Sequence, residues 1–212
     1  MLTKFLQERK NILYKKFIKR FFDIIVSLFA LPFFLILLLI VAPVIYLNDR
    51  GSIFYNAPRL GKDGKVFKMY KFRSMKMNAP DIRNEDGSTF NSENDLRLIK
   101  IGKFLRKTSI DEIPQIINIL KGDMSLIGPR PDLSSQIDFY DVESELKFTV
   151  RPGLTGYAQV KGRNTISWKE KNQLDRYYVE NLSLILDIKI FFLTIVKIFR
   201  AEGVNKKWII KC

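Results

Sequence analysis

The chain has 212 residues, 47% of them hydrophobic and 27% charged, which fits one folded domain or one domain plus a small appendage and excludes a disordered or collagen-like polymer. Its 36 Lys and Arg against 22 Asp and Glu give +14, a surplus that calls for nucleic acid, an acidic membrane surface or a phosphorylated substrate. Histidine is absent and the single cysteine is Cys212, which excludes Ser-His and Cys-His catalysis, His-ligated zinc, thiolate metal cages and a disulfide framework, and points to a reducing compartment. Any catalysis must run on carboxylates, cations and a divalent metal.

The charge is uneven. Residues 1–76 hold 15 basic and 4 acidic residues, so +11 of the +14 lies in the first third. The same third carries 25 uncharged residues, 24–48, which as a helix would extend about 37 Å against a hydrocarbon thickness of about 30 Å. Basic residues flank this run on both sides, and positive flanks prefer the cytoplasmic face. Pro32 lies inside it and removes one helical hydrogen bond; Pro43 adds a second break. The flanks and Pro32 together favour a re-entrant helix that dips into one leaflet and returns. A plain spanning helix with proline kinks is the alternative.

Residues 51–73 read as a β-hairpin around the turn Gly61-Lys62-Asp63-Gly64. Residues 78–95 are polar and read as a loop. A helix is predicted over 96–107, interrupted near Gly102, and a second from Ser109 to about Leu120, with Pro114 near its first turn and Gly122 as its stop. An amphipathic helix is predicted over 133–148, a loop over 151–156 and a helix over 167–179. Residues 186–199 are strongly apolar with Lys189, Lys197 and Arg200 on the polar side, which suits either the membrane interface or a core helix. The Trp208-Ile209-Ile210 tail suits contact with lipid or with nothing. The expected fold class is α+β, mainly helical: a basic N-terminus with a re-entrant membrane helix (1–50), a body with a small β-hairpin and interfacial amphipathic helices (51–204), and a C-terminal tail (205–212).

The sequence lacks GxxxxGK[ST] and GxGxxG, so P-loop and Rossmann readings fail. The stretch from Arg106 to Pro114 places two adjacent carboxylates, Asp111 and Glu112, at a predicted helix start behind two cations. Such a start offers free N–H groups that hold a phosphate beside an ionised carboxylate. Ser109 and Glu112 also form a capping-box pattern, a purely structural use that leaves Asp111 unassigned. A phosphate substrate beside two carboxylates would need a bridging divalent cation such as Mg²⁺. Arg106, Arg130 and Arg151 are candidates to neutralise the rest, the last two held by neighbouring prolines.

Five segments carry a family resemblance: Lys19-Arg20-Phe21-Phe22-Asp23, Tyr70-Lys71-Phe72-Arg73-Ser74-Met75, Ser109-Ile110-Asp111-Glu112-Ile113-Pro114-Gln115, the run from Lys121 to Pro131, and Arg151-Pro152-Gly153-Leu154-Thr155-Gly156. In this order they resemble the bacterial sugar transferases, the small monotopic phosphoglycosyl transferases. The resemblance implies transfer of a sugar-1-phosphate from a UDP-sugar to polyprenol phosphate, with release of UMP and a need for Mg²⁺. It implies that Asp111 is the nucleophile, forming a covalent phospho-sugar, and that Glu112 helps hold the metal. Lys71, Arg106, Arg130, Arg151 and Asp175 fall on positions the family uses for substrate. It also implies a re-entrant membrane helix broken at Pro32, partners among membrane lipids rather than nucleic acid, and a catalytic domain on the cytoplasmic face of the bacterial inner membrane. A homo-oligomer is left open. The family often breaks its re-entrant helix at a Ser-Pro pair; here the break is Leu31-Pro32, a few residues earlier, with another proline at Ala42-Pro43, and Tyr157 stands where Trp is frequent. Apart from the resemblance, a basic membrane-bound scaffold or a nucleic-acid-binding protein is the competing reading, and an enzyme that moves sugar without phosphate is another.

Overall fold

In the computed structural model the described residues are 13–82, 90, 95–134, 140, 144–162 and 166–200. A π-helical turn, Tyr14–Ile18, leads into the apolar helix α1, Lys19–Asp49, which is helical on both sides of Pro32 and Pro43. Its 31 residues give a rod of about 46 Å. Most of its surface is apolar and uncovered, with Phe29, Phe33, Leu39 and Leu47 all more than two-thirds exposed. One narrow face, Asp23, Ser27, Phe34, Val41 and Ile45, is buried.

Both ends of α1 are fastened to the rest of the protein. At its start, Asp23 accepts hydrogen bonds from the Ser125 hydroxyl and the Leu126 N–H, at 3.0 and 2.9 Å. Arg20 donates to the carbonyls of Ile119 and Leu120. At its far end, Asn48 accepts from the Lys100 N–H, and Asp49 pairs with Arg73. Between them Phe34, Val41 and Ile45 join Phe72, Ile99, Leu105 and Ile116 in a shared core.

The antiparallel ribbon of β1 (Phe54–Leu60) and β2 (Val66–Phe72) follows. Its turn takes positive φ at Asp63 and Gly64, which Gly and Asp tolerate better than most residues. Pro58 is accommodated because β1 is an edge strand, where one side of the backbone needs no ladder bond. Next come α2 (Gly102–Thr108), a 3₁₀ turn (Ile110–Glu112) and α3 (Gln115–Lys121). The predicted helix over 96–107 begins only at Gly102, and the predicted helix from Ser109 is split. Ser109 lies in the left-handed region and makes no capping bond to the turn, so the capping-box pattern has no structural counterpart here. Gly122 ends α3 with φ +93, as its sequence position predicts.

Two short strands, β3 (Ser125–Ile127) and β4 (Gly153–Thr155), pair in parallel where a loop is predicted for the second. The backbones approach so closely that a Cβ on Gly153 would lie 2.1 Å from the Gly128 nitrogen, which explains a glycine at that position. Of the predicted 133–148 helix, Leu133 instead forms an isolated antiparallel bridge with Arg59, and Ser144–Thr149 is a 3₁₀ segment; residues 135–139 and 141–143 lie outside the described set, as do 83–89 and 91–94 of the polar loop and the tail from 201 onwards. The helices α4 (Tyr157–Lys161), α5 (Trp168–Glu180) and α6 (Leu184–Arg200) are the last described elements. Ser167 and Glu170 form a full capping box at the start of α5. Tyr178 and Val179 of α5 and Ile190 of α6 pack with Ile127, Val150 and Val160 in a second core. The outer face of α6 leaves Ile185, Ile188, Phe191 and Phe192 uncovered, so the helix is a core element on one side and apolar surface on the other.

Candidate active site

The two adjacent carboxylates occupy the 3₁₀ turn between α2 and α3. Elements distant in sequence bring cations to them. β2 supplies Lys71, and β2 is tied to α3 by Asn118, whose side chain accepts from the Tyr70 N–H at 2.9 Å and donates to the Lys68 carbonyl at 2.8 Å. The chain beyond β3 supplies Arg130, between Pro129 and Pro131, and α2 supplies Arg106, whose Nε donates to the Ser74 hydroxyl at 3.1 Å.

The carboxylates are not equivalent. Glu112 is clamped: its Oε1 accepts from Lys71 Nζ at 2.6 Å and from Arg130 Nη2 at 2.8 Å. Burial opposes its charge, but Arg130 and Lys71 more than offset that, and its carboxyl is held well below the usual carboxylate range. Asp111 is 7% exposed and is hydrogen-bonded to no described residue. Burial pushes its carboxyl up to about 6, against the pull of Lys71, Arg106 and Arg130. Lys71 is lowered, first by burial and then by the Arg130 charge, with Glu112 acting in the opposite sense.

Thus Lys71, Arg106, Asp111, Glu112 and Arg130 converge as the sequence suggests. Two predicted substrate residues stand elsewhere. Arg151 donates from Nε to the Gly122 carbonyl, at the far end of α3 from the carboxylates. Asp175 is 2% exposed on α5 and faces Lys147 at 3.3 Å. Lys147 also pairs with Asp132, which in turn accepts from the Tyr140 hydroxyl. Burial raises Asp175 to about 6, only partly countered by Lys147. Asp132 lies two residues beyond Arg130, so this buried network supports the turn that aims Arg130. Lys147 and Asp132 are missed in the sequence because an amphipathic helix over 133–148 would place a lysine in solvent; nothing local marks it as buried.

The donor set suits a hard cation. Asp111 and Glu112 offer carboxylate oxygens, and no group of three or more potential ligand side chains comes together among the described residues. A Mg²⁺ here would therefore take its remaining ligands from phosphate oxygens and water, the usual arrangement for this ion.

Comparison with known proteins gives the same assignment. The profile of the family described as "Bacterial sugar transferase" matches residues 14–201. The chain is 41% identical to the uncharacterized sugar transferase EpsL of Bacillus subtilis over 189 residues, 89% of this chain and 91% of that protein. It is 39% identical to an undecaprenyl-phosphate galactose phosphotransferase of Salmonella typhimurium and 40% identical to a UDP-N-acetylgalactosamine-undecaprenyl-phosphate N-acetylgalactosaminephosphotransferase of Aeromonas hydrophila. These alignments cover 89% and 88% of this chain but only 42% and 45% of those longer proteins. A profile matched across nearly the whole chain, over a site that gathers two carboxylates and three cations, settles the kinship: the chain belongs to the bacterial sugar transferase family.

Proposed function

We propose that this chain transfers a sugar-1-phosphate from a UDP-sugar to polyprenol phosphate, in two displacements at phosphorus through Asp111. The observation that carries this reading is the division of labour in the dyad: one carboxylate bound by two cations, its neighbour buried and hydrogen-bonded to no described residue. A carboxylate without hydrogen-bond donors keeps its lone pairs for attack.

In the first step an Asp111 oxygen bonds to the phosphorus attached to the sugar. The bond from that phosphorus to the bridging oxygen breaks, and UMP leaves with the electron pair. In the second step the polyprenol phosphate oxygen attacks the same phosphorus and the Asp111 carboxylate is released. No general base is needed, because a phosphate monoester with a second pKa of about 6 is already ionised at neutral pH. This accounts for a site without histidine. Lys71 and Arg130 hold Glu112 in place and leave donors for phosphate oxygens, and Arg106 adds charge beside Asp111. Mg²⁺ held by Glu112 would supply further neutralisation of the diphosphate.

The test is the nucleotide product. Membranes containing the full chain, given a panel of UDP-sugars with polyprenol phosphate and Mg²⁺, should release UMP in step with lipid-linked sugar. Release of UDP would replace this reading with direct sugar transfer, and no nucleotide product from any donor would favour a scaffold.

The re-entrant reading of α1 belongs to the same proposal. It is supported by the attachment of both helix ends, at Asp23 and at Asn48–Asp49, to one packed unit. A helix of about 46 Å that crossed a bilayer would put these ends on opposite faces. On this reading the cytoplasmic face holds both flanks, and the apolar outer face of α6 lies in the interface. With Cys212 replaced by Ser, single cysteines at Leu13 and Lys65 should both resist an impermeant maleimide in intact spheroplasts and both react after lysis. Reaction of one alone before lysis would establish a spanning helix.

A further inference from the structure

A second basic site lies at the opposite end of α3 from the dyad. Three separate stretches bring cations to a cavity of about 300 Å³: Lys15 from the π-helical turn with Lys19 and Arg20 from the start of α1, Lys62 from the hairpin turn, and Arg151 from the loop before β4, with Asp23 as the acidic member of the lining. The charges are only partly answered from within. Lys19 pairs with Asp187, and Asp23 Oδ1 is occupied by the Ser125 hydroxyl and the Leu126 N–H. Arg20 and Arg151 lean on the neutral carbonyls of Ile119, Leu120 and Gly122. The side chains of Lys15 and Lys62 make no ion pair among the described residues. Converging like charges in a concave site concentrates a positive potential that favours an anion.

The position of the cavity narrows the class of anion. Leu182 lines it, and the apolar face of α6 begins immediately beyond, with Leu184 and Ile185 uncovered. On the other side Phe17 of the π-helical turn and Phe21 of α1 are exposed. The cavity therefore lies where polar surface gives way to apolar surface. α3 separates it from the dyad, and that helix of seven residues is about 10 Å long.

We propose that this cavity is a second phosphate site, distinct from the dyad, that takes a phosphate group at the polar–apolar boundary, most directly the phosphodiester of an anionic phospholipid headgroup. Arg151 and Arg20 are its fixed donors, and Lys15 and Lys62 close on the ligand from two sides.

The full chain in neutral detergent would be titrated with dihexanoyl-phosphatidylglycerol below its critical micelle concentration, and separately with inorganic phosphate, following heat release and thermal unfolding. The phosphatidylglycerol should bind saturably and raise the unfolding temperature. The double variant Lys15→Gln/Lys62→Gln should weaken that binding about two- to thirty-fold, the loss of two partly exposed ion pairs. Asp111→Asn should bind like the parent, which separates this site from the catalytic reading. Variant-sensitive binding of inorganic phosphate without a phosphatidylglycerol response would keep the site and assign it a soluble ligand. Equal affinity in parent and double variant, or binding lost in Asp111→Asn but kept in the double variant, would overturn the proposal. Both lysines are exposed, so the ligand-free unfolding temperature should be unchanged; should it fall, Lys62→Gln alone, in the hairpin turn, carries the comparison.

Discussion

Asp111→Asn is expected to lower turnover by at least about 10⁴-fold, the scale on which loss of a covalent nucleophile falls. The substitution keeps the shape of the side chain and removes its charge and its capacity to form an acyl phosphate. It should leave the fold intact. Asp111 is 7% exposed and has no hydrogen bond to a described residue, so a neutral amide there relieves the cost of burying a carboxylate. The paired expectation is an unfolding temperature equal to or above the parent's, together with loss of any phospho-sugar adduct detectable by mass spectrometry of the intact protein. Turnover within tenfold of the parent would remove Asp111 from the mechanism.

The second large effect concerns stability. Lys147→Met removes the cation shared by Asp132 and Asp175, all three being largely buried. Deleting one partner of a buried ion pair costs about 3–5 kcal/mol, because the remaining charge is left uncompensated. Here two carboxylates would be left facing each other. The loss should depend on pH, and its sign is fixed by Asp175. Its carboxyl is raised to about 6 in the folded protein, against 3.8 as the ordinary value. Between these values the folded state binds more protons than the unfolded state, so stability falls as pH rises through the folded pKa. Lys147→Met should therefore be weakest at pH 8 and recover part of its stability at pH 5. Urea unfolding at the two pH values checks this; equal losses at both would show that Asp175 does not titrate in this range. Activity should fall as well, because Asp132 lies in the turn that aims Arg130 at Glu112.

Elements whose instructions are local could be read from the chain. The hairpin turn needs residues that accept positive φ, and Asp63 and Gly64 provide them. Ser167 and Glu170 announce α5, and Gly122 ends α3. Where the instructions are distant, reading failed. Ser109 and Glu112 match a capping box, but Lys71 and Arg130 draw Glu112 away, from 41 and 18 residues along the chain. The pairing of β3 with β4 depends on the meeting of Gly128 and Gly153, and strands of three residues carry too short a pattern to announce it. Arg130 and Arg151 look alike, each beside a proline, yet the fold sends them to opposite ends of α3.

The way α1 is built into the protein has a mechanical consequence. Phe34, Val41 and Ile45 share their core with Ile116, one turn of chain past the dyad. No tether separates the greasy rod from the dyad; the rod is the floor under the turn that carries Asp111, through Ile110, Ile113 and Ile116. Cutting the chain at Gly51 would thus strip the lining from Phe72, Ile99 and Leu105 and leave an insoluble fragment rather than a free-floating enzyme. On the proposed reaction it also sets the altitude of Asp111 above that floor at one value, so the two reactants would have to be delivered to one plane, the donor by diffusion from the aqueous side and the lipid by sliding sideways.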